Sequence, residues 1–127
     1  MGKIEKENII QKKTFDFSLQ IIDLYKKLKE NHEYEISKQL LRSATSIGAN
    51  VEEASAGQTK RDFIAKMAIA SKEARETKYW LRLLDKSQLV KLDYISYLKE
   101  IDDIINILTA IVKTSQKNIE QRIITQN

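Results

Sequence analysis

SKQLLRSATSIGANVEEASAGQTKRDFIAKMAIASKEARETKYWLRLL, residues Ser37 to Leu84, is the stretch that decides the fold. It reads as two long helices joined at Gly57. In the first, Ile36, Leu40, Ala44, Ile47, Val51 and Ala54 recur at steps of three and four, the spacing of one helical face, which predicts a helix over about 35–56. Leu41, Gly48 and Ser55 line an adjoining edge with mainly small side chains, so a neighbouring helix can come close. Gly48 costs about 1 kcal/mol of helix propensity relative to alanine, which close packing offsets. In the second helix, over about 60–86, the core stripe is Phe63, Met67, Ala70, Ala74, Thr77, Leu81 and Leu84. Gly57 stands where a helix C′ residue with positive φ is expected. Thr59 followed by Asp62 resembles a capping box with aspartate in place of glutamate. So short a turn makes the two helices antiparallel neighbours.

On the N-terminal side, Thr14 is placed to cap a helix over about 14–31, with Phe17, Ile21, Leu24 and Leu28 on its inner face. Phe15, Leu19 and Ile22 are read as widening that face. Residues 1–13, with Ile4, Ile9 and Ile10 scattered among polar positions, are expected to form a flexible arm. On the C-terminal side, Asp93 is a fair N-cap, and Leu92 and Tyr97 are spaced for a hydrophobic staple. A helix over about 93–118 follows, with the seam Tyr94, Leu98, Ile101, Ile105, Leu108, Val112, Ser115 and Ile119 and a second seam through Tyr97, Ile104 and Ile111. Residues 119–127 are expected to fray. The reading is therefore all-α: one domain over 14–118, an antiparallel up-down-up-down four-helix bundle. With no proline and only three glycines, the chain has few means of building the tight connections of a strand-rich fold.

Several chemistries find no footing. A di-metal carboxylate site needs Glu-x-x-His pairs on facing helices. The chain has Glu52, Glu53, Glu73 and Glu76, but its one histidine, His32, falls in a connection. Ser43, Ser46, Ser71 and Thr77 have no histidine within helical reach, and cysteine is absent. Gly57 stands alone, so no glycine-rich loop can cradle a phosphate. The expectation is a non-enzymatic protein with no metal and no cofactor. No apolar run approaches the roughly 20 residues of a membrane span, and the N-terminus MGKIEKENII lacks a signal-peptide core. Together with the absence of cysteine, this suits the cytoplasm.

Charge is distributed unevenly. Of the formal +4, residues 60–91 carry nine basic against four acidic side chains, while the remaining segments nearly cancel. Such asymmetry points to a polyanionic partner. On a helical projection, the basic excess of the third helix falls on one strip: Arg61, Lys72, Arg75, Arg82 and Lys86. These five are the candidate nucleic-acid-binding residues. A second strip, nearly opposite the core stripe, holds Ile69, Trp80 and Leu83, with Glu73 and Glu76 alongside. A monomeric surface helix has little reason to expose it, so Ile69, Trp80 and Leu83 are candidate oligomer-interface residues.

The strings SKQLLRSATSIGANVEEA and FIAKMAIASKEARETKYWLRLL, with KENIIQKKTFDF and LYKKL before them, resemble the bacterial family of four helix bundle proteins over nearly the whole chain. That family includes proteins encoded by intervening sequences in bacterial 23S rRNA genes. It is also similar to the accessory variability determinant of diversity-generating retroelements, a nucleic-acid-binding partner of a reverse transcriptase. The resemblance implies a subunit that assembles into a ring-like homopentamer. It also favours cross-subunit contacts for Arg42 with Glu52 or Glu53, which would otherwise read as a solvated face of the second helix. Two functions stand side by side: a homo-oligomeric accessory protein that binds RNA or DNA by its backbone, and a protein-interaction scaffold whose charge is incidental.

Overall fold

The computed structural model describes the backbone of residues 2–126 and the side chains of residues 9–125. Met1, Asn127 and the side chain of Ile4, which enter the expected arm and tail, lie outside the described residues. Four helices follow one another: α1 (Gly2–Glu30), α2 (Glu35–Ser55), α3 (Lys60–Ser87) and α4 (Ile95–Gln126). Each packs on its neighbours in the chain and α1 closes on α4, which makes a four-helix bundle with no strand among the described residues.

The inner stripes are those that periodicity marks. All seven stripe residues of α3, from Phe63 to Leu84, are buried, as are Leu40, Ala44, Ile47, Val51 and Ala54 of α2. Phe17, Ile21, Leu24 and Leu28 of α1 meet Ile101, Ile104, Ile105, Leu108 and Ile111 of α4 in the same core. Ser43 and Thr77 are buried as well, and the Thr77 hydroxyl donates to Ser43 Oγ at 2.8 Å, a polar link between α2 and α3.

The helix ends differ from expectation in several places. The stretch 1–13, read as a flexible arm, is helical from Gly2. Ile10 is fully buried and extends the α1 stripe by one turn through Thr14. Thr14 therefore caps nothing: it sits inside the helix and its hydroxyl donates to Ile10 O at 2.8 Å. Phe15 and Leu19, read as part of the inner face, are 59% and 49% exposed, because they turn outward rather than inward. Gly57 has no positive φ. Glycine suits close approach instead, since a Cβ there would stand 3.1 Å from Ala54 O, a tight contact. α4 continues to Gln126 through the stretch expected to fray.

Capping accounts for the connections. α1 ends with His32 in the left-handed region (φ 63°), the His32 amide donating to Lys29 O and the Glu33 amide to Leu28 O, both at 2.9 Å. This is a Schellman ending with histidine in the position that usually takes glycine. Glu33 then turns its carboxylate onto the start of α2, accepting from the amides of Glu35, Ile36 and Ser37 at 3.1, 2.9 and 2.6 Å. A buried carboxylate is thereby satisfied by the unpaired N–H groups and positive dipole end of a helix. Thr59 accepts from the Asp62 amide at 3.0 Å at the head of α3, as its sequence predicts. Asp93 Oδ1 accepts from Ile95 N at 3.0 Å before α4.

Candidate nucleic-acid interface

α3 positions the candidate residues. Its inner stripe is locked between α2 and α4, which fixes the rotation of the helix and leaves an outer face to solvent. Arg61, Lys72, Arg75, Arg82 and Lys86 are all exposed on that side. Arg75 donates to Thr109 Oγ1 of α4 at 3.3 Å. Among the described residues, none of the five forms an ion pair.

The cations at the flanks of α3 behave otherwise. Lys66 reaches Glu53 of α2 at 2.8 Å, and Lys78 reaches Asp102 of α4 at 2.7 Å. Two acidic residues of α3 are engaged elsewhere. Glu73 and Glu76 both face Arg42 of α2, Glu73 at 3.4 Å and Glu76 by a short contact that raises the arginine pKa further. The five outer cations are thus left without an ion-pair partner among the described residues, and like charges three and four residues apart on a helix repel by a few tenths of a kcal/mol per pair.

The apolar strip has a split character. Ile69 is 41% exposed and Leu83 36% exposed. Trp80 is half-buried, its Nε1 donates to Glu76 Oε2 at 3.1 Å, and its ring meets Tyr79 edge-on at 5.2 Å. Arg42, Glu73, Glu76 and Trp80 therefore form one network within a single chain. Arg42 and Glu53, weighed for contacts between subunits, each have a partner inside their own chain. Glu52 is exposed at the rim of a shallow hollow of about 270 Å³ with Phe15, Ser18, Thr45, Gly48 and Ala49.

Two features escaped the sequence reading. Phe15 and Leu19 make a second exposed apolar face, with Phe15 beside α2. Their spacing of four is visible in the sequence, but spacing alone does not say whether such a face is covered. Arg122 lies in the segment read as a fraying tail, yet α4 carries it to a hollow it shares with Lys60 and Arg61 at the head of α3. The basic surface therefore extends beyond the five residues onto α4.

Among the described residues no group of three or more histidine, cysteine or acidic side chains is arranged to hold a metal, and no helix is long and apolar enough to cross a membrane. The model of the family described as 23S rRNA-intervening sequence protein matches residues 6–110. A crystal structure of a protein with unknown function from the S23 ribosomal protein family of Bacteroides thetaiotaomicron is similar, with a TM-score of 0.80 and 44% identity. That similarity covers 85% of this chain and 98% of the other. No curated protein matches. With one family model spanning most of its length and a solved relative of the same architecture, this chain belongs to the 23S rRNA-intervening sequence protein family.

Proposed function

We propose that this chain is a non-enzymatic, homo-oligomeric helical subunit that binds RNA or DNA along the sugar–phosphate backbone. One observation carries the reading. Five cations share the outer face of α3 and none has a carboxylate partner among the described residues, although neighbouring lysines on both flanks do. Each phosphate they neutralise would release counterions, so affinity should fall steeply with salt. The sequence resembles no base-reading motif, so recognition rests on backbone and shape.

Assembly strengthens a patch that is modest in one copy. The strip of Ile69, Trp80 and Leu83 and the face of Phe15 and Leu19 are different surfaces, which suits a head-to-tail contact that closes into a ring. The homopentamer that the family resemblance implies is the ring proposed. Exposure of Phe15 and Leu19 also favours a second reading, a scaffold that docks another protein. That reading expects a partner retained in pull-down after nuclease treatment.

Gel-shift titration of the assembled protein tests the first reading. Binding is expected at about 50 mM salt and should weaken by orders of magnitude toward about 200 mM. Replacing Arg75 and Arg82 with alanine should flatten the log–log salt slope by about 1 per cation removed. No shift with any polynucleotide at low salt rules the function out. For the assembly, Trp80→Glu should release monomers in light scattering. An unchanged mass with an intact helical spectrum refutes the α3 strip as an interface.

A further inference from the structure

The outer face of α3 holds an aromatic ring at the centre of its cations. Lys72, Arg75, Tyr79, Arg82 and Lys86 follow at steps of three, four, three and four, so they form one ladder along the helix, basic–basic–aromatic–basic–basic. At 1.5 Å per residue the rungs are about 4.5–6 Å apart and the ladder is about 21 Å long. Tyr79 is 52% exposed. Among the described residues its one aromatic neighbour is Trp80, met edge-on, and no cation of its own chain covers it, in contrast to Tyr25, over which Lys29 sits at 5.1 Å. Glu76, one turn from Lys72 and facing Arg42 and Trp80, does not neutralise the ladder.

An exposed ring with two cations on either side is poorly matched to a duplex, whose bases are already stacked on one another. It suits a strand whose bases are free, because every base has a face that can stack on an aromatic ring while its phosphates lie along the cations. We propose that Tyr79 is a base-stacking residue and that the ladder receives an unpaired nucleic-acid strand, with Lys72 and Arg75 on one side and Arg82 and Lys86 on the other holding consecutive phosphates. The proposal rests on the nucleic-acid reading above and adds to it the form of the partner and the residue that selects it.

Oligouridine, oligodeoxyuridine and a duplex of equal length, each titrated against the full chain, provide the test. Trp80, the only tryptophan and in edge contact with Tyr79, supplies an intrinsic fluorescence signal. The single strands should bind more tightly than the duplex and change the Trp80 emission, and comparison of the two oligomers separates ribose from deoxyribose. Tyr79→Ala should weaken single-strand binding about tenfold or more, leave the salt slope unchanged and leave duplex binding unaffected. Tyr79→Phe should restore the affinity, since it keeps the ring. Duplex binding as tight as single-strand binding, or a Tyr79→Ala variant with undiminished single-strand affinity, overturns the stacking role while the backbone reading stands. Failure of all three probes to bind at low salt removes both.

Discussion

The α2–α3 pair and the α1–α4 pair hold the same bundle together by opposite means. Where α2 meets α3 the buried set is rich in small residues, including Ser43, Ala54, Ala70, Ala74 and Thr77, and the two helices share the most extensive backbone contact in the molecule. Three polar links reinforce it: Thr77 to Ser43, Arg42 to Glu73 and Glu76, and Lys66 to Glu53. Where α1 meets α4 the buried set is large and apolar, with Ile10, Phe17, Ile21 and Leu24 from one helix and Ile101, Ile104, Leu108 and Ile111 from the other. That seam has the least extensive backbone contact, and Lys13 to Glu100 at 2.7 Å spans it. Small side chains let backbones approach, whereas branched ones hold them apart and fill the space between. The helix bearing the candidate interface thus belongs to the tighter pair. Its outer face is positioned by backbone proximity and polar links rather than by bulky packing alone.

The two seams should therefore fail differently. In the large-residue seam, truncation leaves a void. Phe17→Ala removes a ring that is only 1% exposed and should cost about 3–5 kcal/mol in denaturant unfolding, the largest effect anticipated for any single change discussed here. A loss below about 1 kcal/mol would mean that α1 is less tightly held against α4 than its burial implies.

Alkaline pH attacks the same half of the molecule. Tyr94 is fully buried just before α4, with its hydroxyl donating to Val90 O at 2.8 Å. Burial first, then the nearby charges of Glu33 and Asp85, pushes its pKa up to about 12. In the unfolded chain the phenol ionises near 10. Between these values the unfolded state loses its proton first. The stabilisation is complete below pH 10 and is lost as pH rises through about 12, amounting to about 2–3 kcal/mol. Urea midpoints measured from pH 9 to 12 should decline for the parent chain. Tyr94→Phe should decline less steeply, and parallel curves would show that the phenol is not the group responsible.

In the small-residue seam, enlargement is the injury. Ala74→Leu inserts a branched chain where α3 is fully buried and should cost about 1–3 kcal/mol by forcing the helices apart. The same displacement would shift the outer face of α3, so weakened polynucleotide binding is expected alongside the lower midpoint. Stability lost with binding retained would show that the interface does not depend on the α2–α3 spacing.

Much of this contrast was legible before any coordinates, because helical periodicity depends only on sequence. The seven-residue stripe of α3 is an example: period and burial coincide at every position from Phe63 to Leu84. What escaped depended on distances between helices. Phe15 and Leu19 have the right spacing for an apolar face, but whether that face is covered depends on how α2 lies across α1. The first thirteen residues carry no glycine beyond Gly2 and no proline, so nothing marked where α1 starts. A single buried Ile10 was too weak a signal to extend it. Gly57 shows the same limit in a turn, where glycine served close approach rather than a positive φ. At the candidate interface, periodicity placed the five cations on one strip. That Glu73 and Glu76 would turn toward Arg42 and leave the strip unneutralised was a tertiary fact.

Gly48 sharpens the contrast with the smallest expected effect, because it lies on the α1 side of α2. Sequence alone suggests that its cost in helix propensity is offset by an approach that only glycine allows. A Cβ at Gly48 would stand 3.5 Å from Ser18 Oγ and 3.6 Å from Thr14 O, ordinary contact rather than collision. Gly48→Ala should therefore fit without displacing α1 and recover helix propensity, a gain of up to about 1 kcal/mol. If thermal unfolding shows a loss instead, α1 and α2 must approach as strictly as α2 and α3 do. Tight spacing would then be a property of every contact that α2 makes and not of the α3 seam in particular.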